Sequence, residues 1–263
     1  MLKGNYIKEM KRNPFKVGLV LLLLTTASLQ GQSVDSLFAE ANKLYQNEKY
    51  PEALQLYADI EKQNIVSYEL YYNIANTYYK TNQVAESIYY YEKALQLKPN
   101  DEDVLFNLDF AYKMTIDNIE PLPKSIGDNY RENVVLKYTY NTWASLAVIF
   151  AVLFAILFLL YHFSDFTNRK RFFFIGSLIC ALLVFIAVVF AYQNKDLVEK
   201  TRFAIVFSAQ VNVKNAPTLN SELNFTLHEG TKVQILETLD NWKKIKIADG
   251  KIGWMDVRDL KEL

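Results

Sequence analysis

In a chain of 263 residues, 29 Lys and Arg balance 29 Asp and Glu, and 51% of the residues are hydrophobic. Zero net charge argues against a nucleic-acid partner, whose affinity rests on Lys and Arg contacts to phosphate. One cysteine and two histidines leave little for a zinc cage, a disulfide framework or a histidine-based triad, so no metal, no cofactor and no enzymatic activity is expected.

The N-terminus carries Lys3, Lys8, Lys11, Arg12 and Lys16 against Glu9, then an apolar run from Val17 to Leu24 and small residues up to Gly31. This order reads as a secretory signal over residues 1–31. The run is too short to cross ~30 Å of hydrocarbon. Cleavage after Ser28 and after Gly31 both fit, and an uncleaved anchor is the other reading. No Cys stands at the junction to carry a lipid. In every case the chain that follows is exported.

Residues 32–117 repeat at a spacing of 34: Ala41-Asn42 returns as Ala75-Asn76, Tyr45 as Tyr79, Glu52 as Glu86 and Tyr57 as Tyr91. Within each unit the apolar residues follow helical spacing, as in Tyr71, Ile74, Ala75 and Tyr78. Breaks between paired helices are expected at Asn47-Glu48 and Thr81-Asn82. Together with Ser87, Ala94 and Pro99, these positions resemble the tetratricopeptide repeat. A third unit keeps Leu105, Leu108 and Tyr112, but Asp109 replaces the small residue and no second helix follows. It reads as a terminal cap, and flanking segments or a partner would complete so short an array.

The resemblance implies an all-α solenoid with a concave groove. Phe38, Asn42 and Tyr45 would line it from the first unit, and Tyr72, Asn76, Tyr79 and Lys80 from the second. Asparagines there can hold a peptide backbone, since each offers a donor and an acceptor. Phe38 and Tyr72 occupy the places where carboxylate-gripping repeats carry lysine, which argues against that clamp. Packing between helices is the competing role for each tyrosine. From Asp35 to Asp117, 14 Asp and Glu stand against 7 Lys and no Arg, a net of −7, a field that favours a basic or neutral partner.

Glu120-Pro121-Leu122-Pro123 ends the helical pattern, and residues 118–142 read as a linker, either a spacer or a short helix at a membrane surface. Residues 143–163 and 172–192 contain no Asp, Glu, Lys or Arg, and each is long enough to span a bilayer. Trp143, Tyr161 and Tyr192 stand at their ends, where such rings favour the interface. Between them, residues 164–171 hold Arg169-Lys170-Arg171, a basic turn expected to stay cytoplasmic. The soluble parts on both flanks then face outward. Cys180, inside the second run, reads as an inert buried thiol.

Residues 193–263 change pattern again. Ala204–Phe207, Gln210–Lys214, Lys232–Glu237, Trp242–Ile247 and Lys251–Met255 read as strands, with Asp249-Gly250 a hairpin turn. Val211-Asn212-Val213-Lys214-Asn215-Ala216-Pro217, Gly230, Trp242 and Gly253-Trp254 resemble the bacterial SH3-like domain, a small all-β barrel over residues 201–263. By that resemblance Trp242 and Trp254 are the candidate ligand face and peptidoglycan a candidate ligand; the competing role is core packing. His228 and Ser221 stand seven residues apart with no orienting acid nearby in sequence, so a hydrolytic pair is not expected.

Signal, repeats, transmembrane hairpin and SH3-like domain, in that order, resemble the BatE-type proteins of the Bat aerotolerance group. The resemblance implies a multidomain membrane protein acting as an interaction scaffold, with other membrane proteins of von Willebrand A type as partners and oxygen tolerance as the setting. It also implies an inner-membrane location with both soluble parts periplasmic. A cell-wall tether that binds peptidoglycan is the second reading.

Overall fold

The computed structural model of the protein describes residues 34–263, so the segment read as an export signal lies outside the described residues. The chain divides into two units between Val66 and Ser67, which places the first repeat in one unit and everything after it in the other.

In the first unit, α1 (34–46) and α2 (Tyr50–Glu61) form a helical pair. Glu48 turns the chain at φ 60°, and Pro51 opens α2, where its missing donor costs nothing. Ala41 and Ala53 are fully buried, and the Tyr57 hydroxyl donates to Asn42 Oδ1 at 2.6 Å.

The second unit begins with the same design. α3 (Tyr68–Lys80) is capped by the Ser67 hydroxyl, which accepts from the Leu70 amide. It turns at Asn82 (φ 58°) into α4 (Val84–Leu97). The Tyr91 hydroxyl donates to Asn76 Oδ1 at 2.5 Å, repeating the Tyr57–Asn42 bond 34 residues on. Ser87 Oγ donates to the Ala75 carbonyl at 3.0 Å, a closeness that only two small side chains permit. α5 (Glu102–Tyr112), capped by Asp101, packs on α4 through Val104, Leu108 and Ala111 and has no second helix behind it.

The linker contains a short helical stretch. Leu122 donates its amide to the Ala248 carbonyl. A Ser125–Asp128 capping box then starts α6 (Ile126–Tyr130), which runs into a π-helical turn at Arg131–Val135. Val135 is buried, and its carbonyl accepts from Trp143 Nε1 at 3.1 Å and Asn194 Nδ2 at 2.9 Å. Asn194 also donates to the Tyr138 carbonyl at 2.8 Å.

α7 (Tyr140–Phe163) and α8 (Thr167–Lys200) are both long and apolar enough to cross a membrane. Trp143 meets Phe190 at 4.9 Å, and Tyr161 meets Phe174 at 5.5 Å, so the two run antiparallel as a hairpin. α8 starts at Thr167, which puts Arg169, Lys170 and Arg171 in its first turns rather than in a loop. It continues to Lys200, past the end of the apolar run at Tyr192. Asn194→Ala removes both bonds that hold the linker to this end of the hairpin. We expect a loss of about 2 kcal/mol, read as a lower melting temperature in detergent and faster proteolysis between residues 131 and 138.

One residue after α8 the β domain begins. Its strands are β1 (Arg202–Val206), β2 (Gln210–Lys214), β3 (Leu223–His228), β4 (Lys232–Leu239), β5 (Trp242–Lys246), β6 (Ile252–Asp256) and β7 (Leu260–Glu262). They form one antiparallel sheet in the order β3-β2-β6-β5-β4-β1-β7. Val206, Val213, Ile245 and Met255 are fully buried at its centre. The fold is thus a helical repeat region, an apolar two-helix hairpin and a C-terminal all-β domain, as the sequence implies.

Candidate interaction site

In the first unit, the Phe38 ring packs against Tyr57 at 6.1 Å, Asn42 accepts from Tyr57, and Tyr45 stands edge-on to Tyr50 at 5.5 Å. In the second, Tyr72 stacks on Tyr68 at 6.1 Å and leans on Tyr91 at 6.2 Å. Asn107, on α5, donates to the Tyr72 hydroxyl at 2.8 Å and to Asn76 Oδ1 at 3.2 Å. Tyr79 is half-buried and Lys80 exposed. Packing and surface roles are therefore combined in the same side chains. Asn76 has its carbonyl committed to the fold and its orientation fixed, while its amide nitrogen is the donor that can serve a partner.

Beneath this row, Tyr68 is pushed above its ordinary phenol value, by burial first and then by its hydrogen bond to Asp101. Burial works to raise Asp101, but hydrogen bonds from Tyr68, Val104 and Lys98 outweigh it and hold the carboxyl below its usual range. The α3–α5 seam is thereby fixed by a charged cap as well as by packing.

A second contact joins the second repeat to the β domain. Glu92 of α4 accepts from Lys232 Nζ at 2.6 Å and from the Tyr112 hydroxyl at 2.8 Å. Asp117, just after α5, accepts three bonds from the β3–β4 turn: the His228 amide at 2.7 Å, His228 Nδ1 at 2.8 Å and Thr231 Oγ1 at 2.6 Å. Tyr89 meets Phe207 edge-on at 5.8 Å, and Lys261 lies 4.2 Å from the Tyr89 ring centre. Gly230 fits against Thr115 and Ile88 with no room for a side chain.

This contact accounts for part of the acidic excess. Glu92 and Asp117 belong to the 14 acids read as a field for a partner, yet their side chains are only 10% and 13% exposed and serve the protein's own β domain. Burial works to raise Asp117, but the bonds from Thr231 and His228 outweigh it, leaving the carboxyl below its ordinary value. Burial lifts the Tyr112 phenol well above its own, with Glu92 adding to the effect. The sequence offers no acid to orient His228; the fold brings Asp117 from 111 residues away. Ser221 is engaged elsewhere, its hydroxyl accepting from the Ala216 amide.

On the β domain, Trp254 pairs across the strands with Lys214 and Lys244 and is 8% exposed. Lys244 Nζ stands 5.7 Å from its ring centre. Trp242 is half-buried, with Lys214 Nζ 6.0 Å away. Trp254 is thus a packing residue first, and Trp242 offers the more accessible ring. Lys243 is buried and paired with Glu262, which also holds Arg202. The hydrogen bond from Lys243 is the main reason the Glu262 carboxyl lies below its usual value.

Residues 68–101 match the family model of the tetratricopeptide repeat, and residues 209–261 match that of the bacterial SH3 domain. A search of the curated proteins finds no match.

Proposed function

We propose that the protein is a non-enzymatic, membrane-anchored interaction scaffold, with the repeats as its partner-binding part. One observation carries the reading: the second repeat and the SH3 domain are joined through Glu92–Lys232 and Asp117–His228 at the end of the apolar hairpin held by Asn194. Antiparallel α7 and α8 let the chain leave and return at one end. Both soluble parts then lie on the same side of a membrane, while Arg169, Lys170 and Arg171 mark the other. By the positive-inside bias that other side is cytoplasmic, which makes the soluble side periplasmic in an inner-membrane, multi-pass topology.

The resemblance in domain order to the BatE-type proteins makes the setting an accessory role in a Bat-type complex linked to aerotolerance, with von Willebrand A-type membrane proteins as partners. The test is capture of the tagged full chain from detergent-solubilised membranes. Co-purification of von Willebrand A-type membrane proteins is expected, and a chain that comes out alone contradicts the reading.

The SH3 match and the partly accessible Trp242 favour a second reading, a tether to peptidoglycan. Sedimentation of the detergent-solubilised full chain with purified sacculi separates the two. Co-sedimentation lost in Trp242→Ala supports the tether, and no co-sedimentation removes it.

A further inference from the structure

The exposed face of α5 differs from that of the helices before it. At the repeat distance of 34 residues, Phe106 falls where α3 has Tyr72, and Phe110 where α3 has Asn76. Phe106 is 65% and Phe110 40% exposed, and their rings stand edge to face at 4.8 Å. Asn107 ties this helix to Tyr72 and Asn76. Phe110, three residues on, shares the face that Asn107 turns toward α3.

Two features narrow what this face can receive. Asp109 stands where Ala75 lets α4 close on α3, and its carboxylate is 63% exposed, so a further repeat helix packed there would bury a charge. Glu102 and Asp103 are exposed at the start of α5, with Asp103 one turn before Asn107. Lys113 pairs with Asp109 at 2.5 Å and its Nζ also lies 5.0 Å from the Phe110 ring centre, so the acids left for a partner are Glu102 and Asp103, one turn before Phe106. An apolar centre with its acidic side next to Phe106 disfavours an acidic segment and an anionic lipid surface alike.

We infer that Phe106 and Phe110 form the anchor pocket for an extended, basic peptide segment of the partner. One apolar side chain of that segment packs on the two rings, and a backbone carbonyl near it accepts from Asn76 Nδ2. The inference rests on the scaffold reading and adds the recognition chemistry: an apolar anchor flanked by Lys or Arg.

The test uses two short synthetic peptides, each with one central phenylalanine, flanked by lysines in one and by glutamates in the other. They are titrated against the full chain in nanodiscs by fluorescence polarisation. The lysine peptide is expected to bind, and the Phe106→Ala, Phe110→Ala double variant to weaken it about tenfold. Leu219→Ala, on the exposed surface of the β domain, is expected to change nothing. No binding of the lysine peptide, equal binding of the glutamate peptide, or unchanged affinity in the double variant overturns the site.

A lipid occupant is checked with a fluorescent label at Phe106→Cys in a Cys180→Ser background. Quenching by spin-labelled lipid chains places the face in the bilayer and also overturns the site; no quenching agrees with it. Partner capture that persists while the peptides fail leaves the scaffold standing and removes only this pocket. Peptide binding without partner capture does the reverse.

Discussion

Replacing Asp117 by alanine is expected to cost about 3 kcal/mol and to loosen the β domain from the second repeat. The carboxylate accepts three hydrogen bonds, from the His228 amide, His228 Nδ1 and Thr231 Oγ1. A buried donor left without its acceptor costs about 1–3 kcal/mol. The imidazole and the hydroxyl can turn toward water, but the amide cannot, which keeps the total nearer one full penalty plus two partial ones. Hydrogen exchange at the His228 and Thr231 amides should accelerate well beyond that of β5 and β6. Asp117→Asn keeps one acceptor oxygen and should lose less than half as much.

The same carboxylate sets a pH dependence. Its folded pKa is depressed, so its contribution is fully present above the ordinary aspartate value of about 3.9. It is lost as pH falls through the lower folded value. Thermal melts of the full chain in detergent should show this acid-side loss, and Asp117→Ala should flatten it. An equally steep loss in the variant would assign the acid sensitivity to other groups.

Gly230→Val is the second large effect, expected near 4 kcal/mol. Gly230 sits at φ +84°, and a Cβ there would stand 2.7 Å from Thr115 Cγ2 and 3.0 Å from Ile88 Cδ1. The left-handed backbone costs an L-residue about 1–2 kcal/mol, more when it is β-branched, and overpacking adds about 1–3 kcal/mol. A second change separates the two terms. Thr115→Ser removes Cγ2 but keeps the hydroxyl that donates to the Tyr112 carbonyl at 2.7 Å. In the Gly230→Val background it should recover about 1 kcal/mol, a coupling expected only of residues in contact. Strict additivity would mean that the β3–β4 turn does not press on the repeat.

What could be read from the sequence was local or periodic. The 34-residue repeat recurs in space as the paired Tyr57–Asn42 and Tyr91–Asn76 bonds and the turns at Glu48 and Asn82. The hairpin announces itself because a run free of charge for 21 residues has few other uses. Two strands escaped. In β3 only Leu227 is fully buried while Leu223 and Asn224 are exposed, so its alternation is too dilute to register, and β7 has three residues. The polar end of α8 was cut short because apolarity, not helicity, set the boundary at Tyr192.

The candidate sites were legible only in part. The asparagines and tyrosines of α3 stand out by their repetition, but Asn107, which ties them to α5, repeats only Asn73, and that recurrence does not show that its side chain reaches back to Tyr72 and Asn76. The junction was hidden altogether. Glu92 meets Lys232 across 140 residues and Asp117 meets His228 across 111, and no local pattern marks an acid whose donor is so far along the chain. Their charges counted instead toward the acidic field of the repeats, which is weaker at the surface than the tally of −7 suggests.

A sidedness measurement goes most directly to the scaffold reading. Single cysteines at Gln96 on the repeat, Asn168 beside the short connection and Leu219 on the β domain are all at exposed positions. Each is placed in a Cys180→Ser chain and treated with a membrane-impermeant maleimide, in sealed cells and in cells made permeable. Labelling of Gln96→Cys and Leu219→Cys in sealed cells, with Asn168→Cys reacting only after permeabilisation, is the predicted result. Opposite sides for Gln96→Cys and Leu219→Cys, or the same side for all three, would contradict a docked pair of soluble parts on one membrane hairpin.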